Sequence, residues 1–249
     1  MIKHIKILFI GSMLICFSFI AFSQENVKLK TVRIKDKPNL QVYHVLRADK
    51  QIKHGQFTIY KYDRVKVSGW YKYGKKDSLW TNYLIGKRLR SKGVYKTDQK
   101  TGVWEYYDLD GELEQKYDHS GDELLFDKDL DQDTEGYNIS SFAEDSTIKV
   151  DRAAVIIGGQ TSIVQVMMED LHYPSKAREE GIQGKVIISF MVDEKGMASS
   201  YAVKKGIGGG CDEEALRVMS SMSARWVPAI YRNQPIRTEF NIPINFSLK

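Results

Sequence analysis

The chain ends in a stretch that decides the fold of its C-terminal part, Ile236-Arg237-Thr238-Glu239-Phe240-Asn241-Ile242-Pro243-Ile244-Asn245-Phe246-Ser247-Leu248. Nearly all even positions are apolar and the odd positions are polar or proline, which predicts a β-strand with one buried and one solvated face. Pro243 has no N–H to donate to a neighbouring strand, and a proline inside a strand favours the edge of a sheet. A long edge strand exposes unpaired main-chain groups that must be blunted, covered or used for pairing.

The residues before this strand predict the rest of a small α+β domain. Tyr173-Pro174 precedes a polar segment that ends at Gly181, which is the pattern of a short helix. The acidic run Asp212-Glu213-Glu214 opens a second helix, because acids are favourable at the positive end of a helix. An alternating strand, a turn and a return strand are predicted between these helices at 186–192, 193–196 and 197–204. We therefore expect a three-stranded antiparallel sheet with two short helices.

Six motifs occur in order along this part of the chain. They are Tyr-Pro-x-x-Ala-Arg, Gly-Ile-Gln-Gly-x-Val, Phe-x-Val-Asp-x-x-Gly, Asp-Glu-Glu-Ala-Leu, Trp-x-Pro-Ala and Pro-Ile-Asn-Phe, and they begin at residues 173, 181, 190, 212, 226 and 243. In this order they resemble the TonB carboxy-terminal domain family, of the kind found in Bacteroidetes-type proteins. The resemblance covers residues 155–248, with Gly158-Gly159 and a helix-like segment at 161–171 in its lead-in, and we assign 151–249 to this domain.

The resemblance implies a non-enzymatic function in the periplasm. Domains of this family bind the short N-terminal box of outer-membrane TonB-dependent receptors by adding it as a strand to a sheet edge. We expect pairing N-terminal to Pro243, since proline would interrupt the ladder. A second interpretation is that proline and charge only guard this edge against aggregation. The partner-binding residues that the resemblance implies are Asp170, Leu171, His172, Tyr173, Pro174, Arg237, Glu239 and Asn241.

The N-terminal residues predict export. Residues 1–23 combine two early lysines with an apolar run and end in Ala21-Phe22-Ser23, which is typical of a signal peptide cleaved after Ser23. An uncleaved anchor in the inner membrane, facing the periplasm, is the alternative. TonB proteins that transduce energy carry a histidine in the membrane helix and a proline-rich spacer, and this chain shows neither. An ExbB/ExbD-type motor is therefore expected as a partner only if the segment remains uncleaved.

An internal repeat occupies the middle of the chain. Phe57, Trp80 and Trp104 are 23 and 24 residues apart. Tyr60, Tyr83 and Tyr107 keep the same steps. A repeat of this length cannot bury its own face, so neighbouring β-hairpins must stack. Residues 53–121 resemble degenerate MORN-type repeats, and we assign 24–125 to a β-repeat domain.

The balance of charge reverses along this part of the chain. Residues 27–100 hold 20 Lys and Arg against 5 Asp and Glu, whereas residues 101–145 hold 2 against 15. The basic part could dock on anionic lipid headgroups, or the two parts could attract each other or be solvated. We interpret 126–150 as an acidic linker. The sequence from Asp127 does not match a calcium-binding EF-hand loop, because Gln132 and Asn138 occupy the positions that require glycine and an acid.

The remaining patterns predict no catalytic residues, no metal and no cofactor. Cys211 is the one cysteine after Ser23 and has no histidine–acid pair near it in the sequence. The run 206–210 is rich in glycine but follows a return strand, so a simple connection is expected rather than a nucleotide loop. Nucleic acid is not expected as a partner of an exported chain. The alternative function is a cell-envelope scaffold whose repeats bind lipid or protein, and paired edge strands would also permit a homodimer.

Overall fold

The computed structural model describes residues 28–36, 38–84, 88–132, 137–140, 147–222 and 224–248. The predicted signal peptide or anchor (1–23) lies outside these residues, and so do residues 133–136 and 141–146 of the predicted linker. Within the described ranges, no helix has both the length and the apolar character that crossing a bilayer requires.

Nine strands form one antiparallel sheet in which each strand pairs with the next along the chain. The predicted hairpins therefore lie side by side as a continuous meander, and residues 27–50 supply two strands. The strands are β1 (Leu29–Asp36), β2 (Asn39–Leu46), β3 (Lys53–Lys61), β4 (Arg64–Lys72), β5 (Lys75–Tyr83), β6 (Leu89–Lys96), β7 (Gln99–Tyr107), β8 (Leu113–Asp118) and β9 (Glu123–Asp127).

One face of this sheet, which we call the aromatic face, carries the repeated residues of the sequence. Phe57, Trp80 and Trp104 are buried there, and tyrosines from the intervening strands pack edge-on between them. Each tryptophan lies across a glycine of a neighbouring strand, Trp80 over Gly69 and Trp104 over Gly93. A Cβ at either glycine would overlap the indole ring, so the close approach of the ring requires glycine.

Lysines follow the same repeat on the aromatic face. Lys53, Lys76 and Lys100 lie over aromatic rings, with the amino groups 4.9, 4.8 and 4.4 Å from the nearest centroids. Cations over aromatic faces are attracted by the ring quadrupole, and more strongly where water is excluded. Burial lowers the pKa of the Lys100 amino group to about 8, and Lys76 and Arg90 act in the same direction. Each repeat therefore contributes a cation as well as an aromatic residue.

The C-terminal domain has a three-stranded sheet, as predicted, in which the strand Gly184–Val192 lies between Ala198–Lys205 and Thr238–Phe246, and its core lies on one face of that sheet. Val186, Ile188, Phe190 and Val192 of the central strand are buried, which confirms the predicted alternation. A third helix, Thr161–Asp170, joins the two predicted short helices and lies where the lead-in is helix-like in sequence. Its elements and those that lead into it are α1 (Lys128–Gln132), β10 (Tyr137–Ser140), β11 (Thr147–Val150), β12 (Val155–Ile156), α2 (Thr161–Asp170), α3 (Ser175–Glu179), β13 (Gly184–Val192), β14 (Ala198–Lys205), α4 (Cys211–Ser221), β15 (Trp226–Val227), β16 (Ala229–Tyr231), β17 (Gln234–Ile236) and β18 (Thr238–Phe246).

A buried polar network joins the two domains. Arg90 of the nine-stranded sheet donates to the carbonyl of Gly158 at 2.6 Å and lies 3.6 Å from Glu114 Oε2. Glu114 Oε1 accepts a hydrogen bond from the amide of Thr161 at 2.9 Å. Gln115 bonds both the amide of Gly158 and the carbonyl of Ile156. The segment that leads into α2 is therefore fixed to the end of the aromatic face.

The start of the predicted acidic linker belongs to the sheet. β9 extends to Asp127, and this residue is buried and accepts a hydrogen bond from Gln115 at 2.8 Å. Burial raises the pKa of the Asp127 carboxyl, while the bond from Gln115 acts in the opposite direction. Charge patterning predicts a solvated aspartate here, because a sequence does not show which neighbouring side chain will satisfy a buried acid.

Candidate peptide-binding edge

β18 lies at the edge of the three-stranded sheet. It pairs with β13 on one side, and within the described residues no strand pairs with it on the other. Thr238, Ile244 and Phe246 are buried, whereas Asn241 and Asn245 are exposed. The alternation read from the sequence thus matches the buried and solvated faces of the strand.

The position of Pro243 shows which main-chain groups of β18 face outward. The register with β13 runs without a shift from Phe246 to Thr238 and pairs Pro243 with Ile187. Residues alternate in antiparallel pairing between those that bond the neighbour and those that point away from it. Proline fits a continuous ladder only where its missing N–H points away. The amides and carbonyls of Glu239, Asn241 and Asn245 therefore point to the outer edge as well.

Two features of the molecule modify this edge. The carboxylate of Glu239 lies 3.4 Å from Lys204 Nζ, so its charge is partly neutralised across the sheet surface. Strand β10 lies close to β18, with Cα atoms within 8 Å, although it is not hydrogen-bonded into this sheet. A peptide that adds to the edge has to fit beside β10 or displace it.

The segment from Asp170 to Pro174, which contains the other implied contacts, is anchored by helix α4. The amide of His172 donates to Glu214 Oε1 at 2.7 Å, and the carbonyl of Asp170 accepts from Arg217 Nη2 at 2.7 Å. Hydrogen bonds from Arg217, together with the amide of His172, lower the pKa of Glu214 to about 2 although burial opposes them. This carboxylate is therefore charged at neutral pH.

The structure places the two groups of implied residues at different ends of β18. The Tyr173 ring packs against Phe246 with a centroid distance of 5.7 Å. Asn241 is five residues from Phe246 along the strand, a separation of about 17 Å. Leu171 packs on the domain core, whereas the side chain of His172 is 81% exposed. A single extended peptide has to run along most of β18 to reach both groups.

Sequence reasoning misses Glu214, Arg217 and Asn245. The sequence identifies Glu214 only as a favourable acid at a helix start, and nothing in it links this residue to residues 170–172. The expectation that pairing lies N-terminal to Pro243 leaves out Asn245. The main chain of Asn245 also points outward, so the edge continues beyond the proline.

The glycine-rich run before α4 binds its own chain. The amides of Ile207 and Gly208 donate to Asp212 at 2.8 and 3.1 Å. Cys211 is fully buried, and burial raises the pKa of its thiol. The glycine-rich run therefore serves as a connection to α4, and Cys211 serves as a core residue.

Comparison with known proteins identifies the relatives of the C-terminal domain. Residues 169–248 match the family model for the Gram-negative bacterial TonB protein C-terminal. The C-terminal domain resembles TonB C-terminal domains. This match bears out the resemblance of the six motifs, while the likeness of residues 53–121 to MORN-type repeats stays a prediction.

One solved structure and the curated proteins add little to that match. The NMR solution structure of the Helicobacter pylori TonB C-terminal domain is 25% identical, covers 35% of this chain and 78% of its own, and gives a TM-score of 0.27. A TM-score of this size does not establish a shared fold, so the resemblance rests on the family match. No curated protein matches the chain.

Proposed function

We propose that this is a periplasmic protein of the TonB family that binds an extended peptide segment of outer-membrane TonB-dependent receptors, in support of transport. The observation that carries the proposal is the outer edge of β18, where Glu239, Asn241 and Asn245 direct main-chain groups away from β13. Strand addition at such an edge draws affinity from main-chain hydrogen bonds and selectivity from alternate side chains. The family match of residues 169–248 supports the same role.

The proposal assigns different tasks to the two groups of implied residues. Glu239 and Asn241 lie along the pairing edge and Arg237 directly precedes β18, and the peptide bonds their main chain. The segment from Asp170 to Pro174 contacts the peptide beyond the end of this ladder, with exposed His172 as its most accessible side chain. Glu214 and Arg217 act as positioning residues, because they hold this segment without lying on the edge.

A titration tests the proposal. The chain that begins at Gln24 is titrated with synthetic peptides that span receptor boxes, and backbone amide shifts are recorded by NMR. We expect shifts at Glu239, Asn241 and Asn245 that saturate with peptide. Absence of shifts along β18 for every peptide of the panel would contradict peptide capture.

A matched pair of variants separates main-chain pairing from side-chain contact. Asn241→Pro removes an outward N–H and leaves the bonds to β13 in place, so we expect binding up to about tenfold weaker with the fold retained. Asn241→Ala keeps the N–H and should bind nearly as well as the natural chain. Equal affinities of the two variants would show that the peptide does not pair at this edge.

A scaffold function in the cell envelope is the alternative, and the face opposite the aromatic face favours it. Trp70, Leu79, Val94 and Val103 are all more than two-fifths exposed on that face. Clustered exposed apolar side chains indicate an interaction surface. The alternative predicts that the panel of peptides leaves β18 unperturbed, while substitution of Trp70 and Leu79 by serine abolishes association with envelope components.

A further inference from the structure

A cleft of about 530 Å³ lies between helix α2 and the turns of the nine-stranded sheet. The β3–β4 turn, the end of β5 with Leu84, Arg88 before β6, and the β7–β8 turn lie on the same side of the meander, and α2 lies beside them. Cavities of this size are typical of small-molecule sites and often occur between domains. The cleft is distant in sequence from β18, and its lining residue Glu169 directly precedes the segment from Asp170 to Pro174 without belonging to it. We call it the basic cleft.

Positive charge is in excess around the basic cleft. Lys61, Arg64, Lys66 and Arg88 line it together with a single carboxylate, Glu169. Glu169 binds Lys66 at 2.9 Å. Within the described part of the chain, neither Lys61 nor Arg64 lies within ion-pair distance of a carboxylate. These two cations of the lining therefore have no ion-pair partner among the described residues, although Lys61 acts at longer range to lower the pKa of Glu169.

Apolar side chains line the remainder of the basic cleft. Met168 of α2 is 70% exposed and Tyr62 of the β3–β4 turn is 65% exposed, and both face this cavity. Leu109 is 40% exposed, and Leu84 completes the same lining. Single exposed apolar residues are ordinary, but several around one cavity indicate a surface that a ligand covers. The helix does not need Met168 for its own packing, because Ile163 and Met167 contact the domain core.

We propose that the basic cleft binds an anionic amphiphile, with its charged head on Lys61 and Arg64 and its apolar tail against Met168, Tyr62 and Leu109. A free inorganic anion would leave the apolar lining exposed, and a neutral detergent-like molecule would leave the two cations without an ion-pair partner. A phosphate, sulfate or carboxylate head satisfies the cations, and a short hydrocarbon tail removes apolar surface from water. The head can belong to a lipid of the membrane or to a soluble amphiphile.

Isothermal titration of the chain beginning at Gln24 tests this site, with dodecyl phosphate below its micelle concentration as the probe. We expect saturable binding of one molecule per chain, at least tenfold tighter than for dodecyl maltoside or inorganic phosphate. Lys61→Gln combined with Arg64→Gln should weaken dodecyl phosphate at least tenfold, since each cation near an anionic head contributes about fivefold. Met168→Glu should weaken it as well, and it is tolerated structurally because the side chain is exposed.

The matched control is Lys72→Gln combined with Lys96→Gln, which removes the same charge from exposed positions of the same sheet outside the cleft. Retained affinity in this control supports the site, whereas an equal loss in control and cleft variants overturns it by showing general charge attraction. Comparable binding of dodecyl maltoside also overturns it.

Vesicles containing an anionic phospholipid identify the source of the head. Vesicle binding that is lost in the Lys61/Arg64 variant points to a membrane lipid, and retained dodecyl phosphate binding without vesicle binding points to a soluble amphiphile. Either result supports the site. The peptide titration of the same variant should be unchanged, so failure of this site and failure of peptide capture are distinguishable.

Discussion

The nine-stranded sheet and the C-terminal domain reach stability by different routes. The sheet repeats one local arrangement, in which a tryptophan lies over the glycine of a neighbouring strand and under a lysine. The C-terminal domain instead buries aliphatic and aromatic side chains between a short sheet and its helices. In the nine-stranded sheet seven strands are paired on both sides, whereas in the three-stranded sheet only the central strand β13 is.

These two routes determine where each region tolerates substitution. The repeated sheet is most sensitive at positions where a ring of the neighbouring repeat leaves no room for a side chain, such as Gly69 and Gly93. The C-terminal domain has an edge strand, β18, that pairs with β13 alone among the described residues, so substitutions on its outer side leave the core in place. The buried network around Arg90 joins the two regions. Its removal is therefore the most direct test of whether the two regions unfold together.

Substitution of Arg90 should perturb the molecule most strongly. Arg90→Met leaves the buried Glu114 carboxylate without its cation, which should cost about 3–5 kcal/mol and separate the unfolding of the two regions. Urea unfolding followed by tryptophan fluorescence and by circular dichroism measures this. The double change Arg90→Met with Glu114→Leu should recover only the part of the loss that comes from the unpaired charge, since the carbonyl of Gly158 and the amide of Thr161 still lack their partners. Unchanged stability in the single variant would show that the network does not join the regions.

Gly93→Ala should cost about 3 kcal/mol within the repeated sheet. The added Cβ overlaps the ring of Trp104, and crowding of a packed core commonly costs about 1–3 kcal/mol, here at the upper end because an aromatic ring must shift. Thermal unfolding detects the change. Gly121→Ala is the matched control, because the nearest atom to its Cβ is Asp118 Oδ2 at 3.3 Å. An equal effect at both glycines would refute the role of ring contact.

Lys100 should make the stability of the repeated sheet depend on pH. Its pKa is about 8 in the folded chain against the ordinary lysine value of 10.5, so the unfolded chain holds more protons between these values. Stability therefore rises with pH in this window, by about 2 kcal/mol between pH 7.5 and 9.5. Above pH 10 the raised pKa of Tyr106 acts in the opposite direction. Urea unfolding of the natural chain and of Lys100→Met should differ in this slope, and parallel pH profiles would contradict the assignment.

A milder change is expected at Thr238 in the C-terminal domain. Thr238 is 1% exposed, and its hydroxyl has no hydrogen-bond partner within the described residues. Thr238→Val removes a buried unsatisfied oxygen and should stabilise the domain by about 1 kcal/mol. The melting temperature of the domain measures this gain, while peptide affinity should be unchanged because the side chain faces the core. A decrease in stability would mean that the hydroxyl is satisfied in solution.

Much of this fold follows from periodic patterns in the sequence. The alternation at 236–248 predicts both the strand and its buried face, and Pro243 predicts its place at an edge. Repeats of 23 and 24 residues predict neighbouring hairpins, because a hairpin with a fixed aromatic pattern must pack on its neighbours. These features depend on local spacing, which a sequence shows directly.

The contacts between distant residues could not be predicted in this way. Arg90 and Gly158 are separated by 68 residues, and nothing in either neighbourhood indicates the other. The hydrogen bond from His172 to Glu214 and the burial of Asp127 also depend on residues that are distant in sequence. Gly69 and Gly93 do repeat at the spacing of the tryptophans, so their role was visible in principle once each glycine was aligned with the ring that covers it.

The hydrogen-bonding capacity of β18 differs between its two sides, and this difference has a mechanical consequence for the proposed peptide complex. The inner ladder joins nine residue pairs, from Gly184 with Phe246 to Val192 with Thr238. On the outer side Pro243 offers no donor, so a peptide bound as we propose would be held by fewer bonds. When tension is applied along the strand, the peptide should slip off while the domain stays intact, and the protein can then bind again.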